Sequence, residues 1–152
     1  KIRNCSSETL SLYSDDGDVQ ISHIQTATNS LSRLFFESDA GQITIKHGKF
    51  DKISGETDDG DVHIVDTSVH TLDISTNDGD VEAIVTPLNK PVWRIQTDEG
   101  DMLLVIPESL SSKLTVFANE GIISSDFNLP IKKREDGAVC QTVLNGGTGT
   151  LN

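Results

Sequence analysis

The sequence predicts an all-β chain wound as a single-stranded, right-handed parallel β-helix of about six rungs of 19–24 residues. Three observations carry that prediction. Six segments align on one glycine: SDDGDV at Gly17, SDAGQI at Gly41, TDDGDV at Gly60, TNDGDV at Gly79, TDEGDM at Gly100 and ANEGII at Gly121. Their spacings of 24, 19, 19, 21 and 21 residues are too short for a βαβ unit of about thirty residues and too long for tightly turned hairpins, and they suit one coil of a solenoid. Apolar residues alternate with period two on both sides of each glycine, the pattern of strands with one buried face.

Each rung then reads as strand, Asp-Gly turn, strand and variable second turn. The first strands place Leu10, Leu34, Ile53, Leu72, Trp93 and Leu114 seven residues before the glycine, and Leu12, Phe36, Gly55, Ile74, Ile95 and Val116 five before. A small residue stands three before: Ser14, Ser38, Thr57, Thr76, Thr97 and Ala118. In the turn, glycine admits positive φ without steric cost, and Asp or Asn bonds its own backbone two residues on. The second strands open with Val19, Ile43, Val62, Val81, Met102 and Ile123, followed two residues later by Ile21, Ile45, Ile64, Ala83, Leu104 and Ser125. Stacked coils put like residues over like in a narrow core. An antiparallel sandwich using the same turns is the alternative.

The second corner falls at residues 24–29, 48–52, 66–71, 87–91 and 107–112, read as short loops with Phe50, Val69, Leu88 and Leu110 anchored inward. After Gly121 the register weakens. Leu129-Pro130-Ile131 and the charged residues 132–136 read as an irregular excursion, and strand character returns from Ala138 to Leu144.

Bulk properties narrow the function. The 152 residues suit one domain, and 24 acidic against 12 basic side chains leave a formal net charge of -12, which disfavours nucleic acid and anionic membrane surfaces. The longest apolar run, Met102 to Ile106, is far below the roughly 20 residues of a membrane-spanning helix. Cys5 and Cys140 stand near opposite ends, on the order of 30 Å apart at the strand spacing of a stack, and should remain unbridged.

The segments TDDGDVHI, TNDGDVEA and TDEGDMLL, with Asp126-Phe127-Asn128-Leu129-Pro130 leading to Gly146-Gly147-Thr148, resemble the repeat of a bacterial adhesin-like family of unknown function, built as a single-stranded β-helix. The resemblance covers nearly the whole chain and implies a location at the cell envelope or outside the cell. Rung two departs from the pattern, with Ala40 and Gln42 in place of the flanking acids. The resemblance also implies that residues 1–152 are one solenoid domain cut from a longer chain, its end coils covered by a cap, another domain or protein, or an envelope component.

The acidic corner is the first candidate for chemistry. Thirteen of the 24 acids lie from two before to one after a repeat glycine, and coils about 4.8 Å apart would set neighbouring carboxylates repelling by about 0.9 kcal/mol in water. Asp18, Asp61, Asp80 and Asp101 are therefore candidate cation ligands. The opposing reading makes them turn residues chosen for backbone geometry. No calcium β-roll repeat or EF-hand loop is present. His23 and His47 should stack on adjacent rungs, too few ligands for a metal, and Asp73 should pair with Arg94 across rungs.

No cofactor is implied. No G-x-S-x-G elbow occurs, and neither cysteine has a neighbouring His motif. Pectin lyases and related enzymes share the fold alone, which confers no activity. The expectation is a non-catalytic scaffold or binding module with Tyr13, Phe35, His63 and Glu82 among its outward binding candidates. The alternatives are a carbohydrate-active enzyme with carboxylates along one sheet, and a sensor whose acidic ridge binds cations or cationic peptides.

Overall fold

The computed structural model describes residues 1–24, 32–107, 112–125, 128–135 and 137–144, with the side chains of 112–114, 125 and 143–144 left out of account. Among these residues the chain forms thirteen strands and no helix. They are β1 (Ile2–Arg3), β2 (Thr9–Ser14), β3 (Val19–Ser22), β4 (Ser32–Ala40), β5 (Ile43–Lys46), β6 (Lys49–Asp59) and β7 (Val62–Asp78). Then follow β8 (Val81–Glu99), β9 (Met102–Val105), β10 (Ser112–Glu120), β11 (Ile123–Ser125), β12 (Lys132–Lys133) and β13 (Ala138–Leu144).

Two parallel ladders run through the stack. On one face β2, β4, β6, the latter half of β7, the latter half of β8, and β10 pair in succession. On the other, β1, β3, β5, the front halves of β7 and β8, β9 and β11 do so. The observed register is the one that aligns the glycines. Leu10 lies opposite Leu34, Leu34 opposite Ile53, Ile53 opposite Leu72 and Leu72 opposite Trp93. Val19, Ile43, Val62, Val81, Met102 and Ile123 form the matching file on the second face. These files make the core: Leu34, Ile53, Leu72, Trp93, Ile43, Val62 and Ile64 are wholly buried, each apolar side chain contributing about 1.5–3 kcal/mol by leaving water.

The repeat glycines stand close together rather than merely turning the chain. Positive φ occurs at Gly17, Gly41, Gly100 and Gly121, whereas at Gly60, Gly79, Gly100 and Gly121 a Cβ would overlap the carbonyl oxygen of the glycine one rung earlier. Close approach of stacked backbones therefore excludes a side chain even where φ is ordinary. The small residue three positions earlier fits the same column: the hydroxyl of Thr97 donates to the Gly79 carbonyl at 3.1 Å and that of Thr76 to the Gly60 carbonyl at 3.4 Å.

The second corner differs from the expected loop. In the middle rungs it is itself paired, Phe50 opposite Val69 and Val69 opposite Pro87, with bulges at Val65/Thr67 and Val69/Thr71. Phe50 and Val69 are buried as expected; Leu88 is only half-buried, and Leu110 lies outside the described residues. The chain enters this corner through left-handed backbone at His23, His47 and Asp66, with φ of 56°, 53° and 50°. His, Asp and Asn tolerate that conformation better than other side chains bearing a Cβ, so these residues are there for the bend.

A second departure lies at the far end. The final strand is not parallel: β13 runs antiparallel to β10, with Val116 opposite Cys140. The excursion of residues 128–135 turns the chain round, β12 pairs antiparallel with β13, and the Arg134 amide donates to the Gly137 carbonyl at 2.7 Å. A period-two pattern is the same in either direction, so the alternation that located this strand carried no information about its sense.

Candidate functional site

The acidic corner is a ladder in which carboxylates bond backbone. Asp18, Asp61, Asp80 and Asp101 follow their glycines in one file along the edge between the two faces. Each accepts, through Oδ1, a main-chain N–H of the next rung: Asp18 from Gln42 at 3.1 Å, Asp61 from Asp80 at 3.0 Å, Asp80 from Asp101 at 2.7 Å and Asp101 from Ile122 at 2.9 Å. The amide one position later bonds the next rung's carbonyl, as Val62 does with Asp80 and Val81 with Asp101. The aspartate thus occupies the N–H that the turn withdraws from the regular ladder. Among the described residues, no three His, Cys, Asp or Glu side chains converge in a metal-binding arrangement.

Rung two lacks the aspartate and uses its replacement differently. The Gln42 side chain lies 3.0 Å from His63 Nε2, while His63 Nδ1 lies 2.9 Å from a Glu82 oxygen and the Thr44 hydroxyl donates to Gln42 Oε1 at 3.3 Å. Gln42, His63 and Glu82 therefore form a polar chain across three successive rungs. With Nδ1–H donating to the carboxylate and Nε2 accepting from the amide, both ring nitrogens of His63 have a partner. His63 and Glu82 also border a shallow hollow of about 370 Å³ with Asp80, Asp101 and Leu103.

Tyr13 and Phe35 are brought together on the outward side of the first face. Tyr13 is 78% exposed, and both border a groove of about 450 Å³ with Glu37, Glu56, Asp73 and Arg94. Lys52 Nζ sits 5.6 Å from the centre of the Phe35 ring. Gly55 also borders the groove, and a Cβ there would overlap the ring of the buried Phe36. Phe36 and Gly55 are in register, so the large side chain of one rung fills the space that the small residue of the next leaves.

Two smaller expectations divide. The His23 and His47 rings stack with centroids 5.1 Å apart and planes tilted by 44°. The Asp73–Arg94 ion pair does not form: the two are in register, but Arg94 donates along its own strand to Gln96 Oε1 at 3.0 Å. A planar guanidinium with a neutral partner two residues away on the same exposed strand gains little by reaching across to a solvated carboxylate. Cys5 is half-buried, Cys140 is buried and neither is bridged; burial raises the Cys140 thiol above its ordinary value.

The candidate residues thus occupy three places: an acidic edge whose Asp18, Asp61, Asp80 and Asp101 bond backbone, a polar chain on the second face and an aromatic groove on the first. No helix among the described residues is long and apolar enough to cross a membrane. Comparison with family models matches residues 1–148 to the family described as Toastrack DUF4097. No curated protein and no solved structure matches the chain.

Proposed function

The chain belongs to the Toastrack DUF4097 family, a β-solenoid scaffold family of unknown function, and on that premise we propose that it is a non-catalytic, adhesin-like binding module of an envelope-associated protein. The observation that carries the reading is the use of the acidic edge. Four of its carboxylates, Asp18, Asp61, Asp80 and Asp101, accept backbone N–H groups of the next rung, so the file that follows the glycines serves rigidity. What the rigid stack leaves free is its outward faces, above all the groove of Tyr13 and Phe35, where a sugar or peptide of the envelope would rest against the rings.

The same groove argues against glycoside hydrolysis. Glu37 and Glu56 are in register on adjacent strands, so they stand about 4.8 Å apart at their backbones and rise from the same face of one sheet. Hydrolysis needs carboxyl groups flanking the scissile bond on opposing sides. Two side chains from one surface do not enclose it.

The experiment combines fractionation of cells making the full-length protein with binding of the purified domain to isolated cell envelopes. The protein is expected in the envelope or extracellular fraction, and Tyr13→Ala with Phe35→Ala should lower binding severalfold while leaving thermal stability unchanged. A cytoplasmic protein that ignores envelopes would overturn the proposal.

A further inference from the structure

The sequence treats residues 132–136 as an excursion; the structure makes part of it a wall. β12 lies along β13 with Lys132 opposite Val139 and Lys133 opposite Ala138. Together with β10 and β13 it borders a groove of about 520 Å³ lined by Thr115, Phe117, Lys132, Lys133, Arg134, Val139 and Gln141. Three of these lining residues are cationic and none is acidic, on a chain whose formal net charge is -12. Its lining shares no residue with the groove of Tyr13 and Phe35, although its Thr115 is in register with Arg94 of that groove.

The cations are exposed and, among the described residues, no ion pair engages them: the pairs found are Arg33–Asp51, His47–Asp66, His63–Glu82 and His70–Asp51. Arg134 is nevertheless held in place. Its guanidinium lies 5.4 Å from the centre of the Phe117 ring, and its amide is tied to the Gly137 carbonyl. A guanidinium held beside a ring by cation–π attraction keeps N–H donors free for two oxygens of one anion. Lys132, opposite Val139, adds positive charge on the same face, Lys133 alternates to the other side of β12, and Gln141 adds amide donors to the lining.

We propose that this groove binds a phosphate group carried on a sugar or polyol. Two cations on one face, Lys132 and Arg134, match the -1.5 to -2 charge of a phosphate monoester at neutral pH better than a single carboxylate. The volume lies within the 300–1,000 Å³ of small-molecule sites, leaving room beside the phosphate for a ring or short polyol against Phe117 and Val139. A nucleic acid is disfavoured, because a strand running beyond the groove would lay further phosphates over an acidic molecule.

Titration of the purified domain followed by calorimetry and amide chemical shifts tests this with glucose 6-phosphate, glycerol 3-phosphate, glucose and single-stranded DNA. Glucose 6-phosphate, glycerol 3-phosphate, or both should saturate one site and shift β10, β12 and β13 amides, with affinity falling at least threefold from 50 to 200 mM salt. Tighter binding of glucose 6-phosphate identifies a sugar as the carrier of the group; tighter binding of glycerol 3-phosphate identifies a polyol. Lys132→Gln and Arg134→Gln should each weaken binding at least fivefold with an unchanged melting temperature, while Tyr13→Ala changes nothing. Failure of both phosphate probes to saturate, equal response to glucose, tighter binding of DNA, or full affinity in both variants would each overturn the proposal.

Discussion

Asp80 shows how a single side chain here serves the backbone. Its Oδ1 takes the Asp101 amide at 2.7 Å, a role that needs an acceptor oxygen and no charge. Asp80→Asn should therefore leave denaturant stability equal or slightly higher, since it also removes repulsion along the file. Asp80→Ala should cost about 1 kcal/mol, as loss of a comparable cap does. If Asn proves as destabilising as Ala, the charge rather than the acceptor matters. Gly55 makes the opposite point, a residue needed for what it lacks. Gly55→Ala should push the Phe36 ring aside and cost about 1–3 kcal/mol, and adding Phe36→Leu should recover part of the loss. Additive effects of the two changes would contradict the size exchange. The glycine stood openly in the alternating series, but nothing in one sequence says which neighbouring rung fills the gap.

Among the elements, β13 departs most from expectation and gives the clearest chemical handle. It covers the outer edge of β10 antiparallel and buries Cys140 against Val116. Burial raises this thiol because the thiolate loses its hydration there. The folded chain then holds the proton at pH values where the unfolded chain has released it. That contribution to stability is fully present below the ordinary value of 9.0 and is lost as pH climbs from there towards the raised one. Cys140→Ser should flatten this alkaline decline in melting temperature; an unchanged slope would assign it to other groups. Thiol titration should find the half-buried Cys5 reacting first in the folded protein, and two free thiols in the denatured, non-reduced chain.

For the molecule as a whole, stacking makes stability nearly one-dimensional. Each rung touches only its neighbours, so central rungs have two partners and terminal elements fewer. Hydrogen exchange should be slowest in β7 and β8, which pair with each other along both faces, and faster in β1, β2, β12 and β13. Uniform protection from end to end would show instead that the stack opens as one unit. The Asp ladder belongs to this picture: each carboxylate ties one coil to the next, so the edge stiffens the axis rather than any single rung.

Period, register and core were legible in the amino acids because a stack repeats one local solution. The same φ, the same close approach and the same buried face recur every 19–24 residues, and repetition makes a weak local signal readable. Leu34 over Ile53, Val62 over Val81 and the file of aspartates follow from that alone. Whatever depends on which residues face each other outside the repeat was decided in three dimensions: the reversal of β13, the preference of Arg94 for Gln96, the partnership of Phe36 with Gly55, and the meeting of Lys132 and Arg134 at one groove. Alternation has no direction, an exposed arginine has several partners of nearly equal energy, and a groove exists only once separate strands have been laid side by side.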